Sequence, residues 1–228
     1  MIMAVMIAAC STDDVVISPD VGTTYADSVS VYFKEVALGF EFGSASRVTR
    51  KWRSPLRIFV GGQPTTDILD ELDPVIEEIN ALTLDGFQIQ LTQDSSASNF
   101  YIYFGSGAAY GKLYPGIAHL TDGNWGLFSV FFNGLDEIYQ AHMYVDIFRA
   151  DLPAQRHLLR EELTQSLGLA RDSFRYPQSI FQQNWTTTTM YAQIDRHLIQ
   201  ALYHPAMTTG LNCDQVRPVL DQILAEIL

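Results

Sequence analysis

The chain has 228 residues, with 26 acidic against 14 basic side chains and a formal charge of −12. That balance excludes nucleic acid as a partner, since tracking phosphates needs clustered Lys and Arg. The hydrophobic content of 47% is ample for one core. With Cys10 and Cys213 as its two cysteines, the chain offers neither a disulfide framework nor a Cys-based zinc site.

The first residues, MIMAVMIAA, are apolar and uncharged. They are too few to span a bilayer, which needs about twenty residues, and read instead as a targeting segment. Ile7-Ala8-Ala9-Cys10 resembles the lipobox of bacterial lipoproteins, where the signal is cut before a cysteine that is then lipidated. The resemblance implies a lipid anchor at Cys10 and a domain in the bacterial cell envelope, facing the periplasm or the exterior. Residues 1–10 are therefore expected to be the signal, 11–26 a polar linker, and 27–228 one domain. Cys213 is expected to be left unpaired, as an inert buried thiol.

Val29, Tyr32, Phe33 and Val36 mark an amphipathic helix from Asp27 that stops at Gly39. Arg47, Arg50, Lys51, Trp52, Arg53 and Arg57 then form a basic stretch. It suits either an anionic ligand or pairing with acidic surface elsewhere. Leu56 to Val60 predicts a strand, and Thr66 or Asp67 can cap a helix running to Leu82. Pro74 is expected to kink or restart that helix, because it removes one hydrogen bond. Phe87 to Leu91 and Asn99 to Phe104 alternate as half-buried strands do. The glycine-rich span from Gly105 to Gly126, with His119, reads as a long loop. Trp125 to Phe132, the turn Asn133-Gly134 and a strand from Met143 to Phe148 predict a hairpin-like return.

The most informative stretch follows, HLLREELTQSLGL, from His157 to Leu169. Leu158, Leu159, Leu163 and Leu167 recur at helical spacing, Pro153 suits the first turn, and Gly168 stops the helix. Glu161 and Gln165 are neighbours on one face, with Glu162 roughly 100° round from Glu161. His157 lies four before Glu161, but a metal touching both His157 and Gln165 would have to bridge about 12 Å of helix axis. After a loop containing Tyr176-Pro177, helices are expected over Met190 to Tyr203 and Cys213 to Leu228. The order of elements predicts an α+β domain with the motif helix packed under the sheet.

This pattern resembles the metzincin-like core of zinc metallopeptidases, whose active-site helix carries H-E-x-x-H-x-x-G-x-x-H and whose later turn bears a methionine beneath the metal. It is also similar to an uncharacterised family of bacterial lipoproteins that carries the E-E-L-T-Q-x-L-G-L variant. The resemblance implies a twisted mixed sheet packed on long helices. It places Glu162 at the general base and Glu161 and Gln165 at the first two zinc ligands. Gly168 falls on the glycine, Arg171 on the third histidine, and Met207 on the methionine turn.

A carboxylate can replace a histidine on zinc, but an amide oxygen is a poor ligand. Arg171 stays protonated and cannot ligate at all. Asp172 is the local acidic substitute for a third ligand, with His157 or His204 as a further donor. Three readings follow. One is a non-catalytic metzincin-like binding or structural domain with no metal. Another is an active metal-dependent peptidase using Glu162 as base, with zinc held by unconventional ligands. The last is an unrelated fold in which E-E-x-x-Q is a solvated helix face. A peptide or protein ligand would pair with the strand near Trp125 to Phe132 by strand addition, with Trp125, Phe128, Phe131 and Phe132 forming pockets. His119 and His142 read as ordinary loop and strand histidines.

Overall fold

The computed structural model describes residues 24–42 and 44–228. The proposed signal, Cys10 and nearly all of the linker lie outside the described residues. Helix α1 (Tyr25–Ala37) starts at Thr24, whose hydroxyl accepts from the Asp27 amide at 3.1 Å. The Asp27 carboxylate accepts from the Thr24 amide at 3.0 Å in return, a reciprocal cap that satisfies two otherwise open donors. Then come β1 (Lys51–Trp52), β2 (Leu56–Gly62), α2 (Thr66–Leu82), β3 (Ile89–Leu91) and β4 (Phe100–Gly105). The second half holds α3 (Gly107–Leu113), β5 (Gly126–Phe132), β6 (Glu137–Asp146), α4 (Leu152–Gln165), α5 (Gln193–Leu202) and α6 (Cys213–Ile227).

The sheet order is β1-β6-β4-β2-β3, every pairing on that path being parallel. Parallel neighbours need crossovers, and α2 supplies the one from β2 to β3. Strand β5 is the exception, running antiparallel along β6 from Gly126 opposite Val145 to Phe132 opposite Ile138. A mostly parallel sheet with several helices is consistent with the expected α+β class. Ile58, Phe100, Ile102, Met143 and Val145 meet Leu159, Leu163, Leu198 and Leu202 in the main core. Full burial of each such side chain contributes roughly 1.5–3 kcal/mol. Helix α4 packs against β5, β6 and α2, which lays the motif under the sheet.

Several expectations need correction. The span from Gly105 to Gly126 is not a long loop, because α3 and a 3₁₀ segment at Pro115–Leu120 occupy it. Ser106 caps α3 by accepting from Ala109 N at 3.2 Å, and Asp146 accepts from Gly107 N at 2.9 Å. Fully buried Tyr110 then ties this short, glycine-bearing helix to the sheet. Pro74 does not interrupt α2. It lies on the exposed side, and so does Asp70, whose carbonyl loses its partner and can turn to water. Strand β6 starts earlier than expected, because its first residues are partly exposed and alternate weakly. Cys213 opens α6 packed against the core, and it is not a free thiol. Among the described residues, no helix is long and apolar enough to cross a membrane.

Candidate functional site

Helix α4 is capped by Asp151, which accepts from Ala154 N at 3.0 Å. It is not a surface helix with a solvated polar face, since every residue from His157 to Gln165 is buried. Each buried polar group on it therefore needs a partner. Arg160 donates to Glu78 at 2.5 Å and lies over the Tyr191 ring at 4.6 Å. Thr164 Oγ1 donates to the Arg160 carbonyl at 2.6 Å and meets the Tyr191 hydroxyl at 2.6 Å. The helix end is pinned from the sheet side, where Trp52 Nε1 donates to the Ser166 carbonyl at 3.0 Å. Tyr203 OH donates to the Leu167 carbonyl at 2.9 Å.

Gly168 then reverses the chain with φ +116, a conformation that side chains rarely adopt. A Cβ there would lie 1.9 Å from the Arg50 carbonyl oxygen, so only glycine fits. The reversal brings Asp172 back under the helix, where its Oδ1 accepts from Gln165 Nε2.

Above this floor lies a cleft of about 1080 Å³. One wall is β5, through Gly126, Leu127, Phe128, Ser129, Val130 and Phe132. The opposite side is formed by residues 40–42, 44 and 45 after α1 and residues 182–186 after the motif, including Glu41 and Trp185. His157, Glu161, Glu162, Gln165 and Asp172 form the polar floor. Among the described residues, strand β5 pairs with β6 along one edge only, and its second edge has no strand partner.

The floor is electrostatically crowded. Glu162 is 7% exposed and has no hydrogen-bond or ion-pair partner among the described residues. Burial, reinforced by Glu161, Asp172 and Glu41, pushes its carboxyl well above the ordinary carboxylate range. Asp172 is pushed up to about 7 by burial and then by Glu161 and Glu41, with the Gln165 hydrogen bond pulling the other way. Burial and Glu161 also raise Glu41, against the nearby Arg171. His157 Nδ1 must donate to the Thr188 carbonyl at 2.7 Å, because a carbonyl only accepts. Its Nε2 then faces Glu161 Oε2 at 3.3 Å. Burial would lower the His157 pKa, but the hydrogen bond and charge of Glu161 outweigh it, and the net shift is upward.

The structure thus brings Glu161, Glu162, Gln165 and Asp172 together in one cleft. Arg171, at the third-ligand position, turns towards Gly39, Arg47 and Glu41. Met207 is fully buried in the main core and does not line the cleft. His204 is also elsewhere, paired through Nε2 with Glu226 at 3.2 Å. His119 is exposed at the cleft rim. His142 is a packed strand histidine, stacked on Tyr114 at 3.5 Å and bonded to the Tyr110 hydroxyl at 2.5 Å, with burial lowering it to about 4. Of the expected aromatic pockets, Trp125, Phe128 and Phe132 line the cleft, whereas Phe131 lies near His142 instead. Within the basic stretch, Arg50 pairs with Asp136 at 2.7 Å and Lys51 with Asp85 at 2.8 Å, the internal-pairing alternative.

As arranged, these side chains do not form a zinc centre. Among the described residues, no group of three His, Cys, Asp or Glu side chains is placed to hold a metal ion. Gln165 spends its amide nitrogen on Asp172, His157 is held between Thr188 and Glu161, and Arg171 offers only donors.

Sequence reasoning missed Glu41 and residues 182–186. Glu41 was hidden because its approach depends on the backbone contact from Glu41 N to the Ala170 carbonyl at 3.2 Å, across a large sequence separation. No local periodicity announces such a contact. The run Gln182-Gln183-Asn184-Trp185, polar with one large aromatic, was the signal on offer for the other wall. Comparison with curated proteins finds no match. A family model does match residues 26–222, and the chain therefore belongs to the family described as "Protein of unknown function (DUF2927)".

Proposed function

We propose that this is a non-catalytic, metallopeptidase-like binding domain of the bacterial cell envelope, which holds an extended polypeptide along β5. The observation that carries the reading is the unpaired edge of β5, which lines the cleft directly above α4. An edge strand presents alternate N–H and C=O groups, and a guest chain can satisfy them as an added strand. Trp125, Phe128 and Phe132 supply apolar surface for its side chains. The metzincin-like layout of sheet, buried motif helix and glycine exit explains the cleft, and the altered letters explain why it binds rather than cuts.

The runner-up is peptide hydrolysis with Glu162 as general base. A base must be ionised, and burial with three neighbouring carboxyls raises the Glu162 carboxyl and disfavours its ionised form. This favours a hydrogen-bond donor over a proton acceptor. The test is metal analysis of protein purified without chelator, alongside peptidase assays. The binding reading expects no stoichiometric zinc, no melting shift on adding Zn²⁺, and no cleavage. One zinc per chain, lost in Glu161→Ala or Gln165→Ala, with cleavage abolished by Glu162→Gln, would overturn it.

Envelope anchoring is proposed from the lipobox-like Ile7 to Cys10. Palmitate labelling that disappears in Cys10→Ser supports it, and equal labelling of that variant refutes it. Because Cys213 is not a free thiol, the same labelling reports whether Cys10 is available for lipid.

A further inference from the structure

Most charge concentrations in the core of this protein are matched internally. Arg160 and Arg196 share Glu78, Arg50 meets Asp136, Lys51 meets Asp85, and Arg149 meets Asp146. The cleft floor is different. Glu41, Glu161, Glu162 and Asp172 face one another, and the cations that reach them are already engaged. His157 is paired with Glu161 at 3.3 Å, and Arg171 acts on Glu41 from the side of Gly39 and Arg47.

Glu162 is the group left over. It is 7% exposed, lacks any hydrogen-bond or ion-pair partner among the described residues, and is aimed into the cleft beneath β5. Its Oε1 lies 2.6 Å from where a Cβ on Gly126 would be, so the absent side chain on β5 opens the path to it. At the same cleft, Trp125 and Trp185 meet edge to face at 5.4 Å, yet remain 38% and 58% exposed. Aromatic faces beside buried carboxyls suit a cation that is both stacked and hydrogen-bonded.

We propose that the floor of the cleft is a pocket for a basic side chain, arginine or lysine, on the polypeptide held along β5. Glu162 and Asp172 receive the cation, Glu161 completes its charge balance, and Trp125 and Trp185 cover its stem. The proposal rests on the strand-addition reading above. An entering cation favours the ionised carboxyls, so each carboxyl that ionises passes its proton to the buffer while the cation keeps its own. The groups that set this balance are Glu41, Glu161, Glu162, Asp172, His157 and Arg171, with Tyr110 and Tyr144 facing Glu162 from α3 and the sheet.

The test uses the purified domain with blocked octapeptides of alternating Val and Thr, carrying Arg, Lys, citrulline or Leu at one central position. Agmatine, a guanidinium without a peptide backbone, is the second probe. Arg and Lys peptides are expected to bind roughly tenfold or more tightly than the citrulline and Leu peptides. That preference is expected to vanish in Glu162→Gln and Asp172→Asn, two near-isosteric variants checked for folding by circular dichroism. Calorimetry of the Arg peptide in buffers of different ionisation enthalpy is expected to show net proton release, absent for citrulline. Equal affinities across the peptide set would overturn the basic-residue pocket while leaving strand addition standing. Agmatine raising the melting temperature while no peptide binds would instead overturn the peptide reading, and with it the proposal as stated. Silence from both probes would overturn the two together.

Discussion

Asp172→Asn tests whether the cleft floor carries unbalanced negative charge. The amide keeps the oxygen that accepts from Gln165 Nε2 and removes the charge that Glu161 and Glu41 oppose. A carboxyl moved from its ordinary 3.8 to about 7 implies a ceiling of about 4 kcal/mol against the ionised form. Asp172 is only partly shielded from solvent, which reduces the expected effect to about 1–2 kcal/mol. Because its folded-state pKa is raised, the native state binds more protons than the unfolded chain between pH 3.8 and about 7. The associated stability is fully present below 3.8 and is lost as pH rises through about 7. Asp172→Asn should therefore be close to neutral near pH 4 and stabilising at pH 8. Urea denaturation of both proteins at the two pH values measures the difference. His142, lowered to about 4, and Asp195, raised to about 6, titrate in the same range but are common to both proteins and cancel. A variant destabilised equally at both pH values would refute a charge-crowded floor.

Three further changes probe how the site is held. Gly168→Ala should cost at least about 3 kcal/mol, combining a left-handed backbone with a Cβ driven onto the Arg50 carbonyl; a denaturation midpoint like that of the wild type would exclude this packing. Glu78→Ala leaves Arg160, which is 5% exposed, with only the longer Glu71 contact at 3.8 Å, and should lower stability by roughly 1–3 kcal/mol. Pairing it with Arg160→Met should recover much of the loss in thermal melts, and failure to recover would show that the poorly paired charge is not the cause. Asp146 is buried, which raises its pKa, but hydrogen bonds from Gly107, Arg149 and Phe148 outweigh burial and lower it. Its stabilisation is present above pH 3.8 and fades as pH falls through its lowered folded value. Asp146→Asn should thus cost roughly 1–3 kcal/mol at neutral pH, and the gap to wild type should close in acid melts.

How far the sequence was legible depended on how local each cause was. Helix α4 could be read because its leucine spacing, Pro153 and Gly168 all lie within the segment they define. The apolar stripes of α1 and α2 could be read in the same way, but α1 is capped by Thr24, for which no cap was expected, and α2 by Thr65 rather than by Thr66 or Asp67. The parallel pairing of β2 with β3 and β4 was not legible, since register follows from crossovers rather than from any strand's own letters. Helix α3 was hidden for a related reason. Its glycines argue for a loop, and only the buried Tyr110 and the distant Asp146 carboxylate make it a helix. At the site, Glu161, Glu162 and Gln165 were visible from helical spacing and Asp172 from the resemblance, while Glu41 and Trp185 enter from segments with no periodic signature. Met207, expected at a methionine turn by resemblance, and His204, weighed as a further donor, instead serve the core and α6.

Burial changes what the polar letters of α4 mean. On a solvated helix face, Glu161, Glu162 and Gln165 would cost nothing and imply nothing. Under a sheet, each must be answered: His157 answers Glu161, Asp172 answers Gln165, and Glu78 answers Arg160. Desolvating a carboxyl without a partner costs stability, so a protein that retains one leaves a vacancy for whatever completes it. Glu162 is that unanswered group, positioned by Gly126 where the β5 edge would carry a guest chain past it. In the proposed binding reading, the residue that corresponds to a catalytic base by resemblance recognises a charge instead of moving a proton.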